Sequence, residues 1–411
     1  MAAAVLAYRK NPPMDACEVL AVVVPHSGQL TETFIRRYCE ELCPGETILV
    51  YFHRGTDAWR FNGPTYHLAI ETFGSTGLWR GFRGLQKICR IEGLFGDPYT
   101  SWSLVRFLRR HKVTCVFSQY LSAGWNVHAT VAKLGLRHVI HGHGYDVSGD
   151  LDRPETVERY LELTDAAAIV VPSQFQVDRL RRIGLKMDNI LSIPYGIDLS
   201  RISARIVPRS TGGPLNVLAV GRLVPKKAPI LAIRAFLLAV KSGVDMRLTL
   251  IGTGPLESAV REYVSQHDHE GRVRLLGAQP HAKVIQAMGG ADVFLQHSVT
   301  DAVTGDQEGA PVAILEAMAS GLPVVATSHS GIPYLVEHGR TGLLSEEGNI
   351  AAMARSLDQI AKSPELRQTM AGAARERAKS FSWERERNAL LKVLFPERKC
   401  DNLGPIRNDC R

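Results

Sequence analysis

Cysteine is scarce in this chain: seven in 411 residues, an odd number, scattered, with no Cys-x-x-Cys pair. That scarcity excludes a disulfide-stapled scaffold and a zinc ribbon, and it agrees with a reducing compartment. Cys39 and Cys43, four residues apart on one predicted helix face, have no histidine nearby and read as buried apolar side chains. Long apolar runs are also missing, since none reaches the roughly 18 residues of a membrane-spanning helix. The opening Met-Ala-Ala-Ala-Val-Leu-Ala-Tyr-Arg-Lys lacks the leading charge and full apolar segment of a secretion signal. A cytoplasmic protein is therefore expected. No repeat, long low-complexity tract, zinc-finger spacing or aromatic RNA-binding motif occurs, so no nucleic-acid partner is expected.

What the chain does contain is the composition of a globular enzyme, 45% apolar and 22% charged. Its length fits two domains of roughly 200 residues each. A net charge of +8 points to an anionic partner. Arg80, Arg83, Lys87 and Arg90 recur at three- and four-residue spacing with Trp79, Phe82, Ile88 and Ile91 among them, and Arg106, Arg109, Arg110 and Lys112 follow. Basic and aromatic residues interleaved on helices suit an anionic membrane surface. A solvated basic face reads them equally well.

Apolar β-branched runs alternate with amphipathic stretches, the pattern of parallel sheets with helical crossovers. Predicted strands are Val19–Val24, Thr47–Phe52, Thr114–Ser118, His138–His141 and Ala167–Val171, then Asn216–Val220, Arg247–Ile251, Val273–Leu276, Val293–Leu295 and Val324–Ala326. Predicted helices include Thr31–Leu42, Gln174–Arg182, Pro229–Val240 and Leu256–Gln266. A Ser/Pro/Gly-rich seam before Leu215 divides the chain into a first domain, residues 1–200, and a second, residues 201–382. A closing helix at 383–395 is assigned to the first domain, and 396–411 form a polar tail. Ligands of such sheets bind beyond the carboxyl ends of strands, which directs attention to the loops after Val24, His141, Val220 and Leu295.

Four of these stretches carry chemistry. Between Gly305 and Gly321 the chain places Glu308 and Glu316 seven intervening residues apart around a helix start. Gly309 and Ala310 are small enough to admit a ligand to the backbone, and Pro311 suits the first helical position. The following helix would direct free amides and its positive end at an anion or a sugar hydroxyl. After Val220 the loop Gly-Arg-Leu-Val-Pro-Lys-Lys-Ala offers Arg222 and Lys227, a planar fork and a point charge that together suit two adjacent phosphates. Lys226 reads as an ordinary surface lysine. Gly28, before a helix start, would let the backbone approach a phosphate. His138, His141 and His143 lie together near a strand end, and such a cluster first suggests a metal, although His141 and His143 alternate across the strand.

The stretch from Glu308 through Thr341, with Gly-Leu-Pro-Val-Val-Ala-Thr at 321–327, Ser-Gly-Ile-Pro at 330–333 and His-Gly-Arg-Thr-Gly at 338–342, resembles the donor-binding half of retaining glycosyltransferases of the glycogen-synthase-like group, family four. His143-Gly-Tyr-Asp resembles that family's His-Gly-x-Asp element, and Pro194-Tyr-Gly-Ile-Asp198 its Pro-Asn-Gly-Ile-Asp element, with Tyr195 in place of asparagine. A second departure is Ala228, where a glycine usually follows the lysine. The resemblance implies a GT-B fold, two Rossmann-like domains facing across a cleft. It implies transfer of a hexose, with retention, from a nucleoside-diphosphate sugar to a lipid-linked or saccharide acceptor, as in exopolysaccharide or glycolipid synthesis. Glu308 and His143 would then be the catalytic residues, with Gly28, Arg222, Lys227, Gly309, Ala310, Pro311 and Glu316 binding the donor and His143 meeting a sugar hydroxyl. No metal or other cofactor is expected. A sugar-nucleotide 2-epimerase and a non-catalytic sugar-nucleotide binder are the rival readings, and the Arg222, Lys227 and paired-glutamate set favours transfer.

Overall fold

The computed structural model describes residues 18–27, 33–55, 59–68, 98–202 and 213–397. Among them thirteen strands form two sheets. The first contains β1 (Val19–Ser27), β2 (Thr47–Arg54), β3 (Thr65–His67), β4 (Val113–Gln119), β5 (Arg137–His141), β6 (Ala168–Val171) and β7 (Ile190–Ser192), in the order β3-β2-β1-β4-β5-β6-β7. The second contains β8 (Leu215–Val220), β9 (Met246–Ile251), β10 (Val273–Leu275), β11 (Val293–Gln296), β12 (Val324–Thr327) and β13 (Gly342–Ser345), in the order β10-β9-β8-β11-β12-β13. Pairing in the second sheet is parallel throughout, and β1 runs parallel to both β2 and β4. Both orders follow the 3-2-1-4-5-6 winding that builds a nucleotide-binding Rossmann sheet. The predicted GT-B class therefore holds at the level of two parallel Rossmann-like sheets.

The chain divides into two compact units, Met1–Ile140 and His141–Arg411. In the first, β1, β2 and β4 present Ala21, Val23, Ile48, Val50 and Val116 to Leu104 and Leu108 of the helix Pro98–Arg110 and to Val127 and Val131 of the helix Leu121–Lys133. In the second, Val217, Leu248, Leu250, Val293 and Val325 pack against Phe236 and Ile233 of the helix Pro229–Lys241 and Leu357 of the helix Ile350–Lys362. Each such side chain contributes about 1.5–3 kcal/mol by leaving water. Side-chain caps fix several helix starts: Asn349 accepts from the Ala352 amide, Ser363 from Leu366 and Ser382 from Arg385.

The predicted strands all form, within two residues of the expected ends except β1, which runs three residues past Val24 to Ser27. Three short ones, β3, β7 and β13, were not expected. The helix expected over 31–42 is instead a helix Thr33–Arg37 running into a π-helical turn, Tyr38–Leu42, in which Cys39 is buried and followed by buried Cys43. The seam at 203–212, the basic stretch at 80–91 and the tail beyond Glu397 lie outside the described residues.

The helix Trp383–Leu394 starts against the chain at Ile197: the Trp383 amide donates to the Ile197 carbonyl at 2.9 Å, and the Gly196 amide to Glu386 Oε2 at 2.7 Å. A Cβ on Gly196 would stand 2.6 Å from the Ser382 carbonyl oxygen, so only glycine allows this approach. Among the described residues no helix is long and apolar enough to cross a membrane.

Candidate active site

Three loops of the second unit meet at the carboxyl ends of their strands. The first follows β5. His141 ends the strand fully buried, and His143, also buried, lies just beyond it. The His143 amide donates to Asp146 Oδ1 at 2.8 Å, and its carbonyl accepts from Gln176 Nε2. Its Nδ1 is 2.5 Å from the Tyr195 hydroxyl, and the two rings lie 6.0 Å apart and nearly parallel, 13° between planes. Burial, assisted by His141 alongside, lowers the His143 pKa well below its usual value, so the ring is neutral at physiological pH. Tyr195, the departure from the family's asparagine, thus makes a polar contact, and it makes it to the site histidine.

The second loop follows β8. Arg222 is exposed and makes no ion pair with the described residues. Lys227 Nζ forms an ion pair with Glu308 Oε2, the two side chains being only 16% and 10% exposed. Ala228 adopts φ +36°, the left-handed region, where a non-glycine residue costs roughly 1–2 kcal/mol. That explains why glycine is usual here. Lys226 corrects the reading of it as a surface residue: it is buried, with Nζ 3.0 Å from Asp306 Oδ1 and 3.2 Å from the Gln307 carbonyl.

The third loop runs from β11 to the helix Val312–Ala319. Glu308 is buried there. Burial alone would raise its pKa, but Lys227 and Lys226 outweigh it and pull the carboxyl down to about 2. Gly309, Ala310 and Pro311 are buried beside it. Pro311 stands one position earlier than expected, at the N-cap with extended backbone, and the helix begins at Val312. The Gly309 carbonyl oxygen would lie 1.7 Å from any Cβ at Gly331, so glycine there is what lets the turn after β12 close over this loop. Glu316, inside the helix, accepts from or faces His281 Nε2 at 2.8 Å.

Bonds among the loops are dense. The Gln307 amide donates to Ser148 Oγ at 3.1 Å, and Arg179 reaches the Gln307 side chain. Gly144, Ser148, Gln176, Gln307, Glu308 and Gly309 line a cleft with about 140 Å³ of empty space.

The structure therefore brings together His143, Lys227, Glu308, Gly309, Ala310 and Pro311. Glu316 lies farther along the helix with His281, and Gly28 falls outside the described residues. Four contributors were not foreseen: Lys226, Tyr195, His329, whose Nε2 accepts the Glu308 amide at 3.1 Å, and Glu347 behind it. The chain also holds an Asp-x-Asp triplet, Asp150-Leu151-Asp152, where none was expected. Asp150 accepts from the Tyr160 hydroxyl at 3.2 Å and pairs with Arg153, which occupies it internally.

Two parallel Rossmann-like sheets define the GT-B class, and solved GT-B structures agree. Sucrose-phosphate synthase from Thermosynechococcus elongatus matches with a TM-score of 0.70 at 20% identity, over 92% of this chain and 98% of that one. HepE of Anabaena, in complex with UDP and glucose, matches at 0.71 and 18% identity, over 92% and 99%. The model for glycosyl transferases group 1 matches residues 201–377 and that for glycosyltransferase family 4 residues 82–201. Both models are of glycosyltransferases, and together they cover residues 82–377 of the chain.

Among curated relatives, WcaL of Escherichia coli, named as a colanic acid biosynthesis glycosyltransferase, is 37% identical over 56% of this chain and 57% of that protein. The amylovoran biosynthesis glycosyltransferase AmsK of Erwinia amylovora is 34% identical over 54% of each. The chain thus spans under two thirds of the length of these relatives.

Proposed function

We propose that the protein transfers a sugar, with retention of anomeric configuration, from a nucleoside-diphosphate sugar to an acceptor hydroxyl in exopolysaccharide assembly. The observation that carries this reading is the Lys227–Glu308 ion pair, its side chains 16% and 10% exposed, beside the neutral His143 loop. Its two members suit opposite parts of one donor: the ammonium a diphosphate, the carboxylate a set of sugar hydroxyls. On donor entry Lys227 exchanges Glu308 for phosphate, and Arg222, exposed and without an ion pair among the described residues, supplies the planar second cation. Both then oppose the charge that develops on the leaving diphosphate, and preorganised charge of this kind lowers the barrier without reorganisation.

Glu308, ionised at physiological pH, accepts hydrogen bonds from the sugar and supports positive charge at the anomeric carbon. His143, neutral, meets a sugar hydroxyl without repelling that carbon. Glu316 exchanges His281 for the ribose diol. The Gly309–Pro311 turn lies against the diphosphate. The acceptor oxygen bonds to the anomeric carbon on the face the diphosphate leaves, the bond to the phosphate oxygen breaks, and the acceptor proton passes to that oxygen. No step calls on a divalent metal.

The names of WcaL and AmsK suggest a polysaccharide-precursor acceptor, lipid-linked or saccharide, and the UDP bound to HepE suggests the donor class to try first. Thermal shifts with a panel of UDP-, GDP- and ADP-sugars test donor binding, because only a ligand of the native state raises its melting temperature. One base class is expected to raise it, and Lys227→Ala to abolish the rise. A panel that shifts nothing contradicts the reading.

A further inference from the structure

Behind Glu308 stands a relay of side chains. The Glu308 amide donates to His329 Nε2 at 3.1 Å, and a ring nitrogen that accepts a hydrogen bond carries no proton. The proton of the neutral ring is therefore on Nδ1, 2.5 Å from Glu347 Oε1. Glu347 is itself anchored, its Oε2 accepting from the Thr300 amide at 2.9 Å. His329 is 1% exposed, so its nitrogens have no water as an alternative partner. The other tautomer would set an N–H against the Glu308 N–H and leave the Glu347 carboxylate facing a bare nitrogen, two losses at once in a buried place. The three loops after β11, β12 and β13 are thus tied through one ring whose tautomer Glu347 dictates.

We propose that His329, held as the Nδ1–H tautomer by Glu347, is a positioning residue that fixes the backbone at Glu308 and so the place of its carboxylate. This rests on the reading of Glu308 as the residue that meets the transferred sugar. A carboxylate supporting charge at one carbon is sensitive to displacement, and a shift of about 1 Å from a remote change can cost 10²-fold in rate. The nucleotide end of a donor depends on Lys227, Arg222 and Glu316 instead. The relay therefore acts on turnover and leaves nucleotide affinity alone.

The test uses the full chain and the donor identified by the panel, with nucleoside-diphosphate release as the assay, affinity for the free nucleoside diphosphate by calorimetry, and the melting temperature. His329→Leu is expected to lower kcat by roughly 10- to 100-fold, with nucleotide affinity unchanged. His329→Gln, whose Oε1 can accept where Nε2 did, is expected to recover most of that loss. Glu347→Ala should lower kcat in the wild-type background and nothing further in the His329→Gln background, because two members of one relay are not additive. In spectra of the [15N]histidine-labelled protein, His329 should show the Nδ1–H tautomer, and Glu347→Ala should shift the Nδ1 resonance as that proton loses its acceptor.

Four results overturn the proposal: normal kcat in His329→Leu, a joint fall of kcat, affinity and melting temperature without rescue by glutamine, additive effects of the two sites, or an Nε2–H tautomer in the wild type. Glu308→Gln separates the two layers. If it is inactive while His329→Leu is active, only the positioning role fails. If Glu308→Gln is fully active, the reading of Glu308 fails and the relay's role with it.

Discussion

At the scale of single residues, two adjacent lysines of one loop have different partners and should fail differently. Lys227 faces Glu308, and Lys226 is pinned between Asp306 and the Gln307 carbonyl. Lys227→Ala is expected to cut turnover by roughly a hundredfold or more, the scale of losing one preorganised donor of charge. Lys226→Ala instead leaves Asp306 uncompensated in a half-buried place and is expected to destabilise the fold by about 3 kcal/mol. Steady-state kinetics and denaturant unfolding of both variants check this, and near-normal turnover in Lys227→Ala would remove the phosphate role. The sequence makes Lys227 legible because its position in a strand-end loop matches a phosphate-binding pattern. Lys226 is not legible, since nothing local to Pro-Lys-Lys says which ammonium turns inward; that is settled by Asp306, 80 residues away. Tyr195 is a similar case, a visible departure whose partner, His143, only the fold supplies.

At the scale of elements, the period-2 and period-3.6 patterns locate the long strands and helices because each must bury an apolar face. The short strands β3, β7 and β13 escape them. One omission matters for function: with β13 unseen, Glu347 just beyond its end has no reason to be near Glu308, and the relay through His329 stays hidden. The helix Pro98–Arg110 illustrates a legible face. Leu104 and Leu108 are buried while Trp102, Arg106, Arg109 and Arg110 are exposed, with the Arg106 guanidinium 5.8 Å from the Trp102 ring. Together with Arg80, Arg83, Lys87 and Arg90, this face is expected to draw the protein to anionic lipid at about 1 kcal/mol per basic residue near the surface, weakening as salt rises. Sedimentation with anionic liposomes should pellet the wild type at low salt and spare an Arg106/Arg109/Arg110→Glu variant. Equal pelleting of the two would leave these residues a solvated face.

At the scale of the whole molecule, several histidines are held neutral inside it. Burial lowers the pKa of His138 and of His141 to about 3 and that of His297 to about 4. His138 lies 2.9 Å from both Ser118 Oγ and His128 Nδ1. Because the unfolded chain binds these protons near pH 6.5 and the folded chain does not, stability falls as pH drops below 6.5, by up to about 1.4 kcal/mol per pH unit for each residue. Glu308 extends the loss further: its lowered pKa stabilises the fold above about 4.5, and that contribution disappears as pH approaches 2. Melting temperatures between pH 7 and 4 should decline steadily, less steeply in His138→Gln, whereas a flat profile down to pH 5 would contradict the neutral, buried state of these rings. The central claim concerns chemistry, and proton NMR of the reaction of a sugar nucleotide with an acceptor in excess EDTA tests it most directly. Release of nucleoside diphosphate and of a glycoside with the donor's own anomeric configuration is expected; an inverted product, or turnover that appears only when Mg²⁺ or Mn²⁺ is restored, would contradict metal-free retaining transfer.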